Sequence, residues 1–181
     1  SPRTIRFAAL MVAAGATLSA FWILAANSWM QTPAGFVHAG GRVELADFAA
    51  ALFNPSTFPR FFHTIIASLA TAAFFVLAVG AWYMLRGVHR EFAAETVRFA
   101  MWAALLLSLA QIGIGHWHAV QVAHTQPEKL AAVEGLFETQ RRAPALVFGI
   151  PDEEAGTVRA EARIPGLLSL LAFGDPDAEV K

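Results

Sequence analysis

His63 is a single histidine near the start of a long apolar run that contains no Asp, Glu, Lys or Arg. A neutral imidazole held in hydrocarbon is costly unless it gains a partner. Ligation of haem iron is one established use of such a histidine. A hydrogen bond at a helix interface is the alternative, and the charge-free surroundings favour the ligand.

A six-coordinate haem needs a second axial ligand, and the residues offer only a weak one, Met30. His116, His118 and His124 form a second cluster that could bind a metal if the three rings converged. On a helix, positions 116 and 118 point about 200° apart. Surface histidines near a membrane are therefore the favoured interpretation of this cluster.

Lys129 and Glu134 lie in a later, charged part of the chain. A carboxylate beside a membrane-surface cofactor can accept protons from a substrate hydroxyl, and a lysine can steady that carboxylate. On an ideal helix the two would point about 140° apart and would flank a pocket. From the residues alone, a solvated charged face is favoured.

The composition is that of a polytopic membrane protein. Of 181 residues, 56% are hydrophobic and 15% are charged, and the mean hydropathy is +0.50. The net charge of −1, without a basic patch, indicates no nucleic-acid partner. Without cysteine, the chain can form no disulfide or thiolate metal site.

Three charge-free runs approach or exceed the length needed to cross a bilayer: Phe7 to Met30, Phe61 to Leu85 and Phe99 to His116. They predict an all-α membrane protein with transmembrane helices at about 7–30, 61–85 and 97–117, in contact with membrane lipid. Residues 1–117 would form the transmembrane region, and 118–181 a separate loop segment.

The positive-inside rule orients these helices. Arginines flank the first helix at its start and lie between the second and third helices, so those sides are predicted to be cytoplasmic. Residues 118–181 then face the extracytoplasmic side. There, Pro127 opens a predicted short amphipathic helix through about Thr139, and Ile164 to Phe173 is a further short apolar stretch.

Several motifs together resemble subunit I of the cytochrome bd family of quinol oxidases. Residues 22–35 are similar to that family's W-x-L-x-A-N-x-W-M-Q-x-P-x-G signature. Further similar segments are FHT at 62–64, GAWYML at 80–85, QPEKLAAVEG at 126–135 and FGIPD at 148–152. The resemblance covers nearly the whole chain.

The resemblance implies a role for each candidate. His63 would be an axial ligand of a low-spin haem b, and Asn27 would lie in the signature that approaches the other haems. Lys129 and Glu134 would act on ubiquinol or menaquinol in an extracytoplasmic quinol-binding loop. A high-spin haem b and haem d would have ligands outside this chain.

The same resemblance implies a bacterial plasma membrane protein that assembles with the remainder of subunit I and with subunit II. The chain begins without Met, and the family has further helices before and after the matched region. We therefore expect a partial chain that is inactive alone.

A different class stays open: a non-catalytic, three-helix haem or quinone membrane anchor or assembly subunit. Such anchors usually carry two histidines on facing helices, whereas here only His116, at the end of the third run, accompanies His63. A channel or transporter would need charged residues along its path, and the runs contain none.

Overall fold

Three long helices dominate the computed structural model, which describes residues 1–152 and 154–180. In chain order, its elements are α1 (Pro2–Gln31), β1 (Phe36–Ala39), β2 (Arg42–Leu45), α2 (Phe48–Leu52), α3 (Thr57–Arg86), α4 (Arg90–Thr125), α5 (Pro127–Glu134), β3 (Gln140–Arg141), β4 (Ala145–Asp152), β5 (Thr157–Ile164), α6 (Leu167–Phe173) and β6 (Glu179–Val180).

The helices α1, α3 and α4 are each long and apolar enough to cross a membrane. This confirms the predicted helical membrane fold. Each helix extends beyond its predicted bounds, because a charge-free run marks the hydrocarbon and not the limits of backbone hydrogen bonding. At the start of α4, for example, Glu95 and Arg98 form an ion pair of 2.5 Å one turn apart.

Small residues bring the long helices together within the first compact unit, residues 1–115. The buried positions include Ala25 and Ser28 on α1 and Ala73 on α3. Gly80 of α3 lies so close to α4 that a Cβ there would be 2.9 Å from a methyl carbon of Val97. The backbones of α3 and α4 therefore approach closely at this point.

A hairpin that the sequence analysis did not predict joins α1 to α2. Strands β1 and β2 pair antiparallel, with Ala39 opposite Arg42. The turn between them is Gly40-Gly41, and both glycines have positive φ, +55° and +78°. A two-residue turn of this kind matches the twist of the paired strands.

Residues 116–181 form the second compact unit. Its core contains residues from α5, α6 and the segments around them: Ala123, Leu130, Leu136, Ala143, Leu168, Ala172 and Val180. Strands β4 and β5 pair as an antiparallel hairpin, and β3 pairs with β6. The strands of this unit, like the first hairpin, were not predicted.

The helix predicted to run from Pro127 to about Thr139 is shorter than expected. Pro127 does begin α5, but the helix ends at Glu134 because Gly135 adopts a left-handed conformation with φ +59°. The apolar stretch before Phe173 forms α6, which buries Leu168 and Ala172 in the core of this unit.

Gly35 offers a test of the α1–α2 connection. Its φ is +68°, and a Cβ there would lie 2.8 Å from the Ala51 backbone nitrogen. We expect Gly35→Ala to destabilise the protein by about 2–5 kcal/mol, since left-handed strain and a backbone clash add. Thermal unfolding in detergent, followed by circular dichroism, measures this.

Gly40→Ala is the matched control, because Gly40 also has positive φ but no atom within 4 Å of its added Cβ. Its cost should be about 1–2 kcal/mol. Equal melting temperatures for the two variants would contradict the clash.

Candidate functional site

His63 lies in the second turn of α3, and its half-buried ring faces α4. The side-chain amide nitrogen of Gln111 is 3.1 Å from Nδ1 and 3.0 Å from Nε2 of the imidazole. One turn further along α4, a Cβ on Gly115 would be 3.6 Å from Cε1 of the same ring. Helix α4 thus contacts the ring through the amide of Gln111 and leaves space beside the ring at Gly115.

The residues around His63 fit a haem bound through this imidazole. Ala67 and Ala70 follow on the same side of α3, where small side chains leave room beside a flat group. The carbonyl oxygen of Gln111 is buried without a hydrogen-bond partner among the residues that the structure describes. The weak second-ligand candidate, Met30, lies instead in the lining of an apolar cavity of about 500 Å³.

Asn27 belongs to a polar cluster between α1 and α3. Its Oδ1 accepts a 2.7 Å hydrogen bond from Nη1 of Arg60 and a 3.3 Å bond from Nε2 of Gln31. Arg60 also donates to Oε1 of Gln31. Because Arg60 precedes His63 by three residues, the two side chains share one face of α3.

A second polar contact joins the end of α1 to the start of α3. The Thr32 hydroxyl lies 2.7 Å from the Ser56 hydroxyl, 3.1 Å from Oδ1 of Asn54 and 3.1 Å from the Ser28 carbonyl oxygen. Asn54 and Ser56 are buried. These bonds tie the end of α1 to the segment before α3, close in sequence to Asn27 and Arg60.

Glu134 is the last residue of α5 and is half-buried. Its Oε2 accepts a 3.0 Å hydrogen bond from the backbone N–H of Leu146. In the β4–β5 hairpin Leu146 is paired with Arg163, whose Nη2 donates a 3.1 Å bond to the carbonyl oxygen of Gly135. One cross-strand pair therefore holds the C-terminal end of α5 by two hydrogen bonds.

Lys129 lies in the first half of α5 and is exposed. Five residues along a helix separate Lys129 and Glu134 by about 7.5 Å along the axis and about 140° around it. On helix α5 the two residues therefore lie on different sides.

A polar cavity of about 490 Å³ lies beside the end of α5. Residues that follow Gly135 and residues of β5 line it, among them Glu138, Thr157, Glu161 and Arg163. Arg163 is mostly buried and forms a 2.6 Å ion pair with Glu161. The cavity thus combines a held guanidinium with acceptor oxygens.

The histidines at 116, 118 and 124 form no metal cluster. Among the residues that the structure describes, no three His, Cys, Asp or Glu side chains are grouped to hold an ion. The ring of His124 packs edge-on against Phe173 at 5.3 Å.

Sequence reasoning missed Gln111 and Arg60. Gln111 is the one glutamine inside the third apolar run, and Arg60 directly precedes the second run, one turn before His63. Both positions were therefore visible as polar groups where polar groups are costly, which is a signal for a partner.

The whole chain, residues 1–181, matches the family described as cytochrome bd terminal oxidase subunit I. It is 38% identical over 173 residues to cytochrome bd-II ubiquinol oxidase subunit 1 of Escherichia coli (strain K12), covering 94% of this chain. It is also 38% identical to the putative cytochrome bd menaquinol oxidase subunit I of Bacillus subtilis (strain 168), over an alignment of 189 positions, gaps included, that covers 100% of this chain.

A solved structure of bd oxidase from Geobacillus thermodenitrificans is similar in fold, with a TM-score of 0.85 and 35% identity. The match covers 94% of this chain and 39% of that one. The chain likewise spans 34% of the length of the E. coli relative and 42% of the B. subtilis relative.

The bond from Leu146 to Glu134 predicts how the second unit responds to substitution. Glu134→Leu removes the acceptor and leaves a partly buried N–H unpaired, which should destabilise the junction of α5 and β4 by about 1–3 kcal/mol. Glu134→Gln keeps an acceptor oxygen and should preserve it. Amide hydrogen exchange at Leu146 distinguishes the two variants.

Glu128→Leu is the matched control, since Glu128 is an exposed carboxylate in the first turn of the same helix. Exchange at Leu146 that is as slow in Glu134→Leu as in Glu128→Leu would contradict the anchoring bond.

Proposed function

Because the chain belongs to the cytochrome bd terminal oxidase subunit I family, we propose that it forms part of the haem-bearing subunit of a respiratory quinol:oxygen oxidoreductase. The observation that carries this proposal is the family match over the whole chain. The histidine in a membrane-length helix and the anchored carboxylate of α5 support it.

In this proposal His63 would bind the iron of a low-spin haem b through one ring nitrogen. When bound, the haem would accept electrons one at a time, the chemistry by which a two-electron quinol is oxidised in steps. The alanines that follow on α3 leave room for its flat ring. The ligands of a high-spin haem b and of haem d would lie outside this chain.

Glu134 is the proposed proton acceptor for a quinol, either ubiquinol or menaquinol. Its Oε2 is held by the Leu146 N–H, which fixes the carboxylate, while Oε1 takes part in no hydrogen bond within the described part of the chain. A fixed carboxylate with one available oxygen suits a general base. Lys129, on another side of α5, would bind or polarise the quinol oxygen.

We propose that Asn27 contributes to haem binding by holding the side chain of Arg60. Its side-chain oxygen is used by the guanidinium of Arg60, so it holds a positive charge one turn from His63 on α3. A cation at this point favours negatively charged groups nearby, and carboxylates of a bound haem are such groups.

The three membrane-length helices make the chain a membrane protein. We place it in the bacterial plasma membrane, among lipids, with the segment after α4 on the extracytoplasmic side. Its partners would be the remainder of subunit I and a second subunit. Protons from quinol would then leave outward, which would build a proton gradient without a pump.

His63→Ala tests the haem assignment. In the intact oxidase this variant should lose the low-spin b-type band from the dithionite-reduced minus oxidised spectrum, since an alanine offers iron no ligand. His38→Ala, an exposed histidine on β1, should leave the band unchanged. A low-spin band of full intensity in His63→Ala would refute the assignment.

Glu134→Gln tests the base. It keeps an acceptor for Leu146 but cannot take a proton, so quinol oxidation should slow by about 10²–10⁴-fold with the haem spectrum unchanged. Glu128→Gln removes a charge from the same helix and should turn over normally. If Glu134→Gln oxidised quinol at the parent rate, Glu134 would not be the base, and its role would be structural only.

A further inference from the structure

The side-chain amide of Gln111 contacts both ring nitrogens of His63. The amide nitrogen is 3.1 Å from Nδ1 and 3.0 Å from Nε2, so it is aligned with neither nitrogen alone. A neutral imidazole has one N–H and one lone pair. An amide N–H donor can therefore satisfy only the nitrogen that carries the lone pair.

Binding of iron would reverse this requirement. A metal takes the lone pair of one ring nitrogen, and the other nitrogen then carries the hydrogen and needs an acceptor. The carbonyl oxygen of Gln111 is such an acceptor, and it is buried without a partner among the residues that the structure describes. A half-turn of the terminal amide exchanges its oxygen and nitrogen and leaves the rest of the side chain in place.

We propose that Gln111 is the positioning residue of His63, whose side-chain oxygen accepts the N–H of the ring nitrogen that does not bind iron. This inference rests on the proposed role of His63 as a haem ligand. It assigns a function to a polar residue that is otherwise unexplained in a membrane-length apolar run.

The apolar surroundings favour a strong hydrogen bond. Gln111 is half-buried on α4, and its helix lies close to the ring, since a Cβ on Gly115, one turn further on, would be 3.6 Å from Cε1. In an apolar environment a hydrogen bond is electrostatically stronger than in water. An acceptor on the far nitrogen makes the imidazole a more basic ligand, which stabilises oxidised iron over reduced iron.

Redox titration of the low-spin haem in the full oxidase tests the proposal. Gln111→Leu removes the acceptor and should raise the midpoint potential. Gln111→Glu offers a stronger, charged acceptor and should lower it. A change of about tenfold in the equilibrium between reduced and oxidised haem is expected for each variant.

Gln121→Leu is the matched control, because it makes the same replacement on the same helix, where Gln121 bonds to Thr125. Its midpoint potential should equal the parent's. Unchanged potentials in both Gln111 variants would overturn the proposal while the haem assignment stood. If Gln111→Leu bound no haem, the midpoint potential of Gln111→Glu would decide: a lower potential than the parent's supports the proposal, and an equal or higher one overturns it.

His63→Ala tests the haem assignment separately from the role of Gln111. Loss of its low-spin band supports the haem assignment on which the Gln111 titrations depend. A band that survives would overturn the haem assignment and the role of Gln111 together.

Discussion

Polar groups inside a membrane-length segment must find their partners within the protein, because hydrocarbon offers none. Long helices meet this constraint for the backbone. The side chains meet it in pairs that join different helices, such as Arg60 with Asn27 and Gln111 with His63. The polar residues that make the site therefore also hold the helices in register.

Close approach of backbones makes these pairs possible. Small residues at the contacts, such as Gly80 against Val97 and Gly115 beside His63, allow α4 to lie near α3. A Cβ at position 80 would lie 2.9 Å from a methyl carbon of Val97 and would push α4 away from α3, whereas a Cβ at position 115 would meet His63 at an ordinary contact distance of 3.6 Å. The chemistry proposed for His63 thus depends on packing as much as on the ligand itself.

The helices could be predicted from sequence because the absence of charge over some twenty residues is a strong physical signal. The ends of the helices could not be predicted in this way, since α4 begins at Arg90, within a charged segment, and ends only at Thr125. The β1–β2 hairpin had a usable signal in Gly40-Gly41, flanked by alternating residues. Hairpin β4–β5 had a weaker one, the alternation from Thr157 to Ile164.

The candidate residues were identified singly, and their neighbours were not. Periodicity places His63 on a face of its own helix, but it cannot tell which residue of another helix meets that face. Gln111 is 48 positions away in the chain, and only the tertiary packing brings it to His63. For Glu134 the missing partner was Leu146, on a strand whose existence was not predicted.

The attachment of α5 to β4 and β5 has a consequence for how the second unit can vary. The two hydrogen bonds from Leu146 and Arg163 lie near one end of the hairpin, whereas its turn, after Asp152, lies at the opposite end. Residues inserted at that turn would lengthen the tip without displacing the carboxylate of Glu134. We therefore expect such a hairpin to tolerate changes in length at its tip, while the end that holds Glu134 keeps its geometry.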